Sequence, residues 1–138
     1  MKVTKATKIE VGSIAHLENG GKGLTFKVKL TKNTEGINTE VVTVVPAFAI
    51  RYKDTIYAYK NICGHIAVNL DYNPGHFFDE EGEFIICATH GAHYSPESGK
   101  CMGGPCFGVG LDLIQTQEED GVLYIIDESI TAVTDIAE

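Results

Sequence analysis

Hydrophobic and polar residues alternate along several short stretches of the chain, which is the pattern of β-strands with one buried face. The clearest stretch has Leu24, Phe26, Val28 and Leu30 in alternation with threonine and lysine. No stretch of ten or more residues shows a strong helical period of 3.6, and no internal repeat is visible. The pattern therefore predicts an all-β protein, a small sandwich or barrel.

Turn residues divide the other predicted strands. A β-branched run at 41–45 is followed by Pro46, where we expect the strand to end. Residues 48–52 and 55–59 flank Lys53-Asp54 and predict a hairpin. Further strands are expected at 84–86, 111–117 and 122–126, the last two joined by a turn at Asp120-Gly121. The tail at 128–138 is expected to be frayed or to form a short helix.

Length and charge restrict the function classes. The chain has 138 residues and a formal net charge of −8 at pH 7. The length predicts a single domain over residues 1–138 with a sizeable core. The charge disfavours nucleic acid and anionic membranes, and it favours a partner with a basic face. No apolar run approaches a membrane span, and the N-terminal residues lack the apolar region of an export signal, which predicts a cytoplasmic protein.

Two short motifs each place a cysteine close to a histidine. One residue separates Cys63 from His65, two separate Cys87 from His90, and residues 66–86 lie between the motifs. We expect both motifs on loops at strand ends, where a rigid scaffold can hold a site. Two thiolates and two imidazoles are the ligands of a Rieske [2Fe-2S] centre, in which one iron takes the thiolates and the other the imidazoles. The same four groups also suit zinc, which would indicate a structural or interaction module.

Around these ligands, from about residue 47 to residue 126, the chain resembles the Rieske-type ferredoxins and Rieske domains. Residues 63–70 have the family's Cys-x-His followed by small residues and a leucine, and residues 87–94 have its Cys-x-x-His-Gly followed by an aromatic residue. Gly103-Gly104-Pro105 is similar to the proline loop that covers the cluster in the family. The resemblance implies a three-sheet antiparallel β sandwich with a small cluster-binding subdomain at about 60–107.

The resemblance also assigns roles to individual residues. It implies that a [2Fe-2S] cluster is bound by Cys63, His65, Cys87 and His90, with Gly91, Ala92, Tyr94 and Pro105 around it. High-potential members have a disulfide between the two loops, at positions that hold Val68 and Thr89 here, so no such bridge is expected. Those members also have a serine at the position of Ala92 and a tyrosine at that of Tyr94, and both hydrogen-bond to sulfur. One donor fewer predicts a potential in the lower to middle part of the range of about −150 to +300 mV.

The function that the resemblance implies is electron transfer rather than catalysis. The chain would be a ferredoxin that passes single electrons from a reductase to an oxygenase or a related terminal enzyme. The alternatives are a Rieske subunit bound tightly to another oxidoreductase, and the zinc module. Acidic residues at 79–83, beside the second motif, are a candidate docking site for a basic partner. Phe77 and Phe78 either pack onto the domain or are exposed to a partner.

The remaining cysteines and histidines are expected to have ordinary roles. In a reducing cytosol, Cys101 and Cys106 should be small buried thiols rather than a disulfide that stiffens the proline loop. His93 is expected at the surface or beside the cluster, and His16 and His76 are expected to be polar residues without a metal.

Overall fold

The computed structural model describes residues 8–33, 40–62, 70–71, 75–87, 91–104 and 109–137. The described residues form β-strands and no helix, which confirms the all-β class. In chain order the strands are β1 (Ile9–Ser13), β2 (Leu24–Asn33), β3 (Glu40–Tyr52), β4 (Thr55–Lys60), β5 (Ile85–Ile86), β6 (His93–Tyr94), β7 (Cys101–Gly103), β8 (Leu113–Ile114), β9 (Thr116–Glu119), β10 (Val122–Ile125) and β11 (Ile130–Ala137).

The strands assemble into three antiparallel sheets, as expected. A five-stranded sheet has the order β11-β2-β3-β4-β8, and two three-stranded sheets have the orders β1-β10-β9 and β5-β6-β7. The main core contains side chains from the first two sheets, among them Val11, Phe26, Ala49 and Leu123. A second cluster of buried side chains, here called the site core, comprises Phe48, Ile50, Tyr59, Leu70, Phe77, Ile85, Cys87, Ala92, Tyr94 and Leu111.

Strand β3 contributes to both cores. Ala47 and Ala49 belong to the main core, whereas Phe48 and Ile50 belong to the site core. Successive side chains of a strand point to opposite faces of the sheet, so this division follows directly from the residue order. The β5-β6-β7 sheet and Cys87 of the second motif are therefore associated with the opposite face of β3 from the main core.

The hairpin predicted around Lys53-Asp54 is confirmed. Strands β3 and β4 pair from Ala47↔Lys60 to Tyr52↔Thr55, leaving a two-residue loop. Lys53 and Asp54 both have positive φ angles, 49° and 68°. Two positive φ values are typical of the type I′ turn, whose twist matches that of the flanking strands.

The expectation that Pro46 ends a strand is wrong, because β3 continues through it to Tyr52. The carbonyl of Pro46 accepts a hydrogen bond from the N–H of Asn61 at 2.8 Å, immediately beyond the last residue of β4. In an antiparallel strand the N–H and C=O of one residue point to the same side. The N–H that proline lacks would therefore face Asn61, one residue beyond the end of β4. The missing donor thus lies outside the pairing of β3 with β4, which begins at Ala47↔Lys60.

Two expectations for the C-terminal part are also corrected. The tail expected to be frayed or helical forms β11, which pairs with β2 from Ile130↔Leu30 to Ala137↔Thr25. Its β-branched residues favour a strand, and Ile130 is buried in the main core. The single strand expected at 111–117 is divided: β8 pairs with β4, and β9 forms with β10 the hairpin that was predicted.

Candidate metal centre

One of the four predicted ligands, Cys87, is among the described residues. It follows β5 directly, and its side chain is fully buried in the site core as a thiol rather than in a disulfide. Cys63, His65 and His90 lie outside the described residues, so their ligation stays a prediction. Within the part of the chain that is described, no three His, Cys, Asp or Glu side chains come together to hold a metal ion.

The backbone around the second motif closes tightly. The N–H of Cys87 donates to the carbonyl of Ala92 at 2.9 Å, and the N–H of Gly91 donates to the carbonyl of Cys87 at 2.8 Å. The chain that leaves Cys87 therefore returns to it within five residues. A buried thiol at the base of such a short loop, with a histidine immediately before its closing glycine, fits the soft donor set that an iron-sulfur cluster requires.

Hydrogen bonds also join the two ends of the segment that carries the first motif. The side-chain carbonyl of Asn61 accepts from the N–H of Leu70 at 2.8 Å, and its amide donates to Asp71 at 2.8 Å. Asn61 is only 3% exposed, and among the residues that the structure describes it is the one polar side chain that is buried. Its role was not predicted, although an asparagine shortly after a predicted strand is a known signal for a residue that bonds the backbone of a loop.

Two of the residues expected around the cluster are buried beside Cys87. Tyr94, on β6, and Ala92 are both fully buried in the site core. Tyr94 pairs across the sheet with Ile85 on one side and Cys101 on the other. The structure thus brings the tyrosine into the same buried cluster as the cysteine, and its hydrogen bond to sulfur stays a prediction.

The backbone that leads into Pro105 lies against the second motif. Gly104 has a φ of +82°, and a Cβ atom added there would be 2.8 Å from the carbonyl oxygen of Gly91 and 2.9 Å from Cα of Ala92. Only a residue without a side chain allows so close an approach. This contact agrees with a loop that covers the second motif, while Pro105 itself lies outside the described residues.

The expectation of a thiol at Cys101 is wrong, because the structure has this residue in a disulfide bond. Its partner lies outside the described residues, as does Cys106. Cys101 is half-buried at the start of β7, and the following residue, Met102, is 57% exposed. The expectation was based on a reducing cytosol, and the redox state of the cytosol does not indicate which cysteines the fold brings together.

Two phenylalanines of the spacer, the segment 66–86 between the two motifs, pack onto the domain. Phe77 is 1% exposed, and its ring stacks on that of Phe48 with centroids 3.9 Å apart. Phe78 is half-buried, with its ring 6.2 Å from that of Tyr52. Of the two possibilities left open by the sequence, packing against the scaffold is therefore correct. The spacer is attached to the five-stranded sheet through these rings.

Tyr59 connects the scaffold to the turn that follows β6. Its hydroxyl donates to the carbonyl of Pro96 at 2.6 Å, and the ring is fully buried in the site core. Burial raises the pKa of Tyr59 well above its ordinary value, and the negative charges that Tyr57 and Glu97 can carry raise it further. The phenol therefore remains protonated and keeps this hydrogen bond at neutral pH.

The acidic segment expected at 79–83 forms a turn at the surface. The carboxylate of Asp79 accepts from the N–H of Glu83 at 2.9 Å, while the side chains of Glu80, Glu81 and Glu83 are exposed. An open cleft of about 630 Å³ lies between this turn, the β3–β4 turn and the residues after β6. Its walls include Tyr52, Lys53, Glu81, Glu83, Glu97 and Met102.

The three histidines expected to have ordinary roles lie in different places. His93 is half-buried on β6 and meets the ring of Phe84 edge-on, with centroids 6.0 Å apart. His16 and His76 are exposed. The parts of the chain that the structure describes contain no helix that could cross a lipid bilayer.

One family model and several solved structures are similar to this chain. The family model described as the Rieske [2Fe-2S] domain matches residues 9–131. The ferredoxin of carbazole 1,9a-dioxygenase from Nocardioides aromaticivorans IC177 has a similar structure, with a TM-score of 0.59 and 19% identity over 88% of this chain and 98% of its own. The Sphingomonas yanoikuyae B1 ferredoxin has a TM-score of 0.59 and 16% identity over 88% of this chain and 99% of its own.

A larger protein contains a similar structure as one part. The terminal oxygenase of carbazole 1,9a-dioxygenase from Novosphingobium sp. KA1 has a TM-score of 0.63 and 16% identity, over 93% of this chain but 31% of its own. A search of curated proteins found no match. At these identities, the solved structures show that the fold is shared.

Proposed function

This chain belongs to the family of Rieske [2Fe-2S] domains, and from that premise we propose that it is a one-electron carrier of the ferredoxin type. In this proposal it accepts an electron from a reductase and passes it to a terminal oxygenase or a related enzyme in the cytoplasm. One observation carries the proposal: the model of that family matches residues 9–131, and the Nocardioides ferredoxin has a similar structure over 98% of its own length. A similar fold also occurs as one part of the Novosphingobium oxygenase.

The cluster would be held by the two cysteine-histidine motifs. Cys63 and Cys87 would provide thiolates to one iron, and His65 and His90 would provide imidazoles to the other. When bound, the cluster supplies a site that takes up and releases one electron. The burial of Cys87 supports this assignment, because a cluster held there would be shielded from water.

Spectroscopy of single-ligand variants tests the cofactor and its ligands. Purified protein should be brown, and its dithionite-reduced form should give an EPR signal with an average g value below that of all-cysteine clusters. Cys87→Ser and His90→Ala should each abolish this signal, whereas His76→Ala, which changes an exposed histidine, should not. A protein that stays colourless after anaerobic reconstitution with iron and sulfide, and contains zinc, would refute the electron carrier and support the zinc module.

We also propose that the partner presents a basic face to the acidic cleft. Glu81, Glu83 and Glu97 lie on the walls of that cleft, and the whole chain has a net charge of −8. Long-range attraction between opposite charges raises the association rate and is screened by salt. The rate of electron transfer to a basic acceptor protein should therefore fall as ionic strength rises.

A matched pair of triple variants tests the cleft. Changing Glu81, Glu83 and Glu97 to glutamine should reduce the salt dependence of the rate. The same change at Glu10, Glu118 and Glu128, which are exposed outside the cleft, removes equal charge. If the two triple variants lose the same salt dependence, only net charge matters, and the proposal of docking at the cleft is wrong.

A tightly bound subunit is the second candidate, and exposed apolar side chains favour it. Val42 and Val44 on β3 are 55% and 50% exposed, and Leu113 on β8 is 51% exposed. A permanent partner would cover such residues, since obligate interfaces are more hydrophobic than transient ones. Size-exclusion chromatography of protein from its native source distinguishes the two. Elution of the protein by itself at its monomer mass supports the carrier, and constant co-elution with one redox enzyme supports the subunit.

A further inference from the structure

We propose that Asn61 and Asp71 form a side-chain pair that holds together the two ends of the first ligand loop, the segment 62–69 that carries the first motif, and thereby positions Cys63 and His65. The inference rests on the proposed assignment of these two residues as cluster ligands. Asn61 directly follows β4, and the loop returns at Leu70. Neither Asn61 nor Asp71 is itself a ligand in this proposal, so their action is exerted through the backbone of the loop.

Asn61 is fixed to the scaffold on one side and to the end of the loop on the other. Its backbone N–H donates to the carbonyl of Pro46 on β3 at 2.8 Å. Its side-chain carbonyl accepts from the N–H of Leu70 at 2.8 Å, and Leu70 is fully buried in the site core. A buried amide is costly unless its polar atoms are bonded, so the arrangement of these partners is strongly preferred.

Asp71 extends the connection to a second strand. One of its carboxylate oxygens accepts from the Asn61 amide at 2.8 Å, and the other accepts from the N–H of Gly75 at 2.9 Å. The carbonyl of Gly75 in turn accepts from the N–H of Gly23 at 2.8 Å, next to the first residue of β2. The returning end of the ligand loop is thus attached to the five-stranded sheet at two separate places.

The chemistry of the pair determines which residues can occupy it. Position 61 must accept a hydrogen bond from Leu70, and position 71 must accept one from Gly75. The bond between the two side chains then needs one donor and one acceptor, which an amide and a carboxylate supply in either order. Two carboxylates would repel each other, and two amides would leave one N–H facing another.

This requirement makes a charge-conserving exchange the decisive test. N61D puts two carboxylates together, D71N puts two amides together, and the double variant N61D/D71N restores one of each. We expect cluster release into a chelator, followed by bleaching of the visible absorption, to accelerate about tenfold or more in N61D and less in D71N. In the double variant the release rate should return to within about threefold of wild type, because the double-mutant cycle should show strong coupling between positions 61 and 71.

Two readouts separate positioning from a general loss of stability. The EPR spectrum of the reduced cluster should change in N61D and recover in the double variant, because it depends on how the ligands are oriented. The amide hydrogen of Leu70 should exchange faster with solvent in N61D and recover likewise, whether or not a cluster is bound. The matched control is N19D. The amide of Asn19 also donates to an aspartate, Asp54, at 3.0 Å, and its side-chain carbonyl accepts from the N–H of Asp54 at 2.7 Å, but this pair is exposed at the β3–β4 turn. N19D should leave the release rate and the EPR spectrum unchanged.

The outcomes distinguish this inference from the proposed function. Wild-type release and EPR in N61D, or a double variant whose defect is the sum of the two single defects, would overturn the inference. If N61D does not fold, D71N against the double variant still decides, since the inference requires the second substitution to repair the first. A wild-type protein that takes up no cluster would refute the proposed function, and Leu70 exchange would still report on the pair.

Discussion

Replacement of Gly104 by alanine should destabilise the protein more than the same replacement at Gly121 or Gly103, where an added Cβ meets no atom. An alanine at a φ of +82° costs about 1–2 kcal/mol by itself. Its Cβ would also lie 2.8 Å from the carbonyl oxygen of Gly91 and 2.9 Å from Cα of Ala92. Both are backbone atoms, so neither can move aside by a change of side-chain rotamer. Relief to an ordinary contact requires a shift of roughly half an ångström, and overpacking of this kind costs about 1–3 kcal/mol.

The two contributions together predict a loss of about 2–5 kcal/mol for Gly104→Ala. For a domain of this size, 1 kcal/mol lowers the midpoint of thermal unfolding by about 3–5 °C. We therefore expect a decrease of about 6–25 °C for cluster-loaded protein, measured by circular dichroism, together with faster bleaching of the cluster.

Two other glycines provide matched controls. Gly121 has a φ of +78° but no atom within 4 Å of an added Cβ, so Gly121→Ala isolates the conformational cost. Gly103 also has open space there, and its φ is not positive, so Gly103→Ala should change stability by less than about 0.5 kcal/mol. If the midpoint of Gly104→Ala is no lower than that of Gly121→Ala, the backbone at Gly104 does not lie in close contact with Gly91 and Ala92, and the prediction is wrong.

Three more substitutions test the site core. Tyr94→Phe should lower the midpoint potential by roughly 40 mV, since a sulfur hydrogen bond worth about 1 kcal/mol would be lost for one electron, and an unchanged potential in a redox titration excludes that bond. Because the pKa of Tyr59 is raised in the folded protein, the phenol ionises at a lower pH in the unfolded chain than in the folded one. The contribution of Tyr59 to the free energy of unfolding is therefore complete below about pH 10, and it decreases at higher pH by up to about 1.4 kcal/mol per pH unit. Tyr59→Phe should remove that part of the alkaline slope in unfolding experiments, and equal slopes in the two proteins would contradict this account. Phe77→Ala should cost about 3–5 kcal/mol in unfolding free energy, and Phe78→Ala, which alters a half-buried ring, clearly less; equal losses would show that the stacking on Phe48 contributes little.

Much of the strand content could be predicted from the sequence because alternation is a local signal. Leu24, Phe26 and Val28 are buried as their spacing requires, and the Lys53-Asp54 turn joins two strands. These features depend on neighbours in the chain, which the sequence displays directly. The resemblance supplied the arrangement into three sheets, which alternation does not contain.

The errors concern features that depend on distant parts of the chain. The strand could not be predicted to pass through Pro46 without knowing that β4 ends opposite it. The tail becomes a strand because β2 offers it an edge, and β8 separates from β9 because each has a different partner. None of these pairings is visible from the residues concerned, since register with a remote strand is a property of the folded chain.

The candidate site shows the same division between ligands and their supports. The spacing of the motifs predicted four ligands, and the structure describes Cys87 among them. The support from Asn61 depends on hydrogen bonds to residues nine and ten positions further along the chain. An asparagine beside a strand has many possible partners, and only the folded chain determines which of them it bonds.

The alternation along β3 also restricts how this protein can change during evolution. An insertion of one residue between Ala47 and Phe48 would turn every later side chain of the strand over, so that Ile50 would exchange cores with its neighbour Ala49. Both cores would be mispacked by one event, and neither could be repaired without the other. The same insertion in the exposed turn at Glu80 and Glu81 would disturb neither core. Natural length variation should therefore concentrate in the spacer, while the two halves of the domain are inherited as one unit.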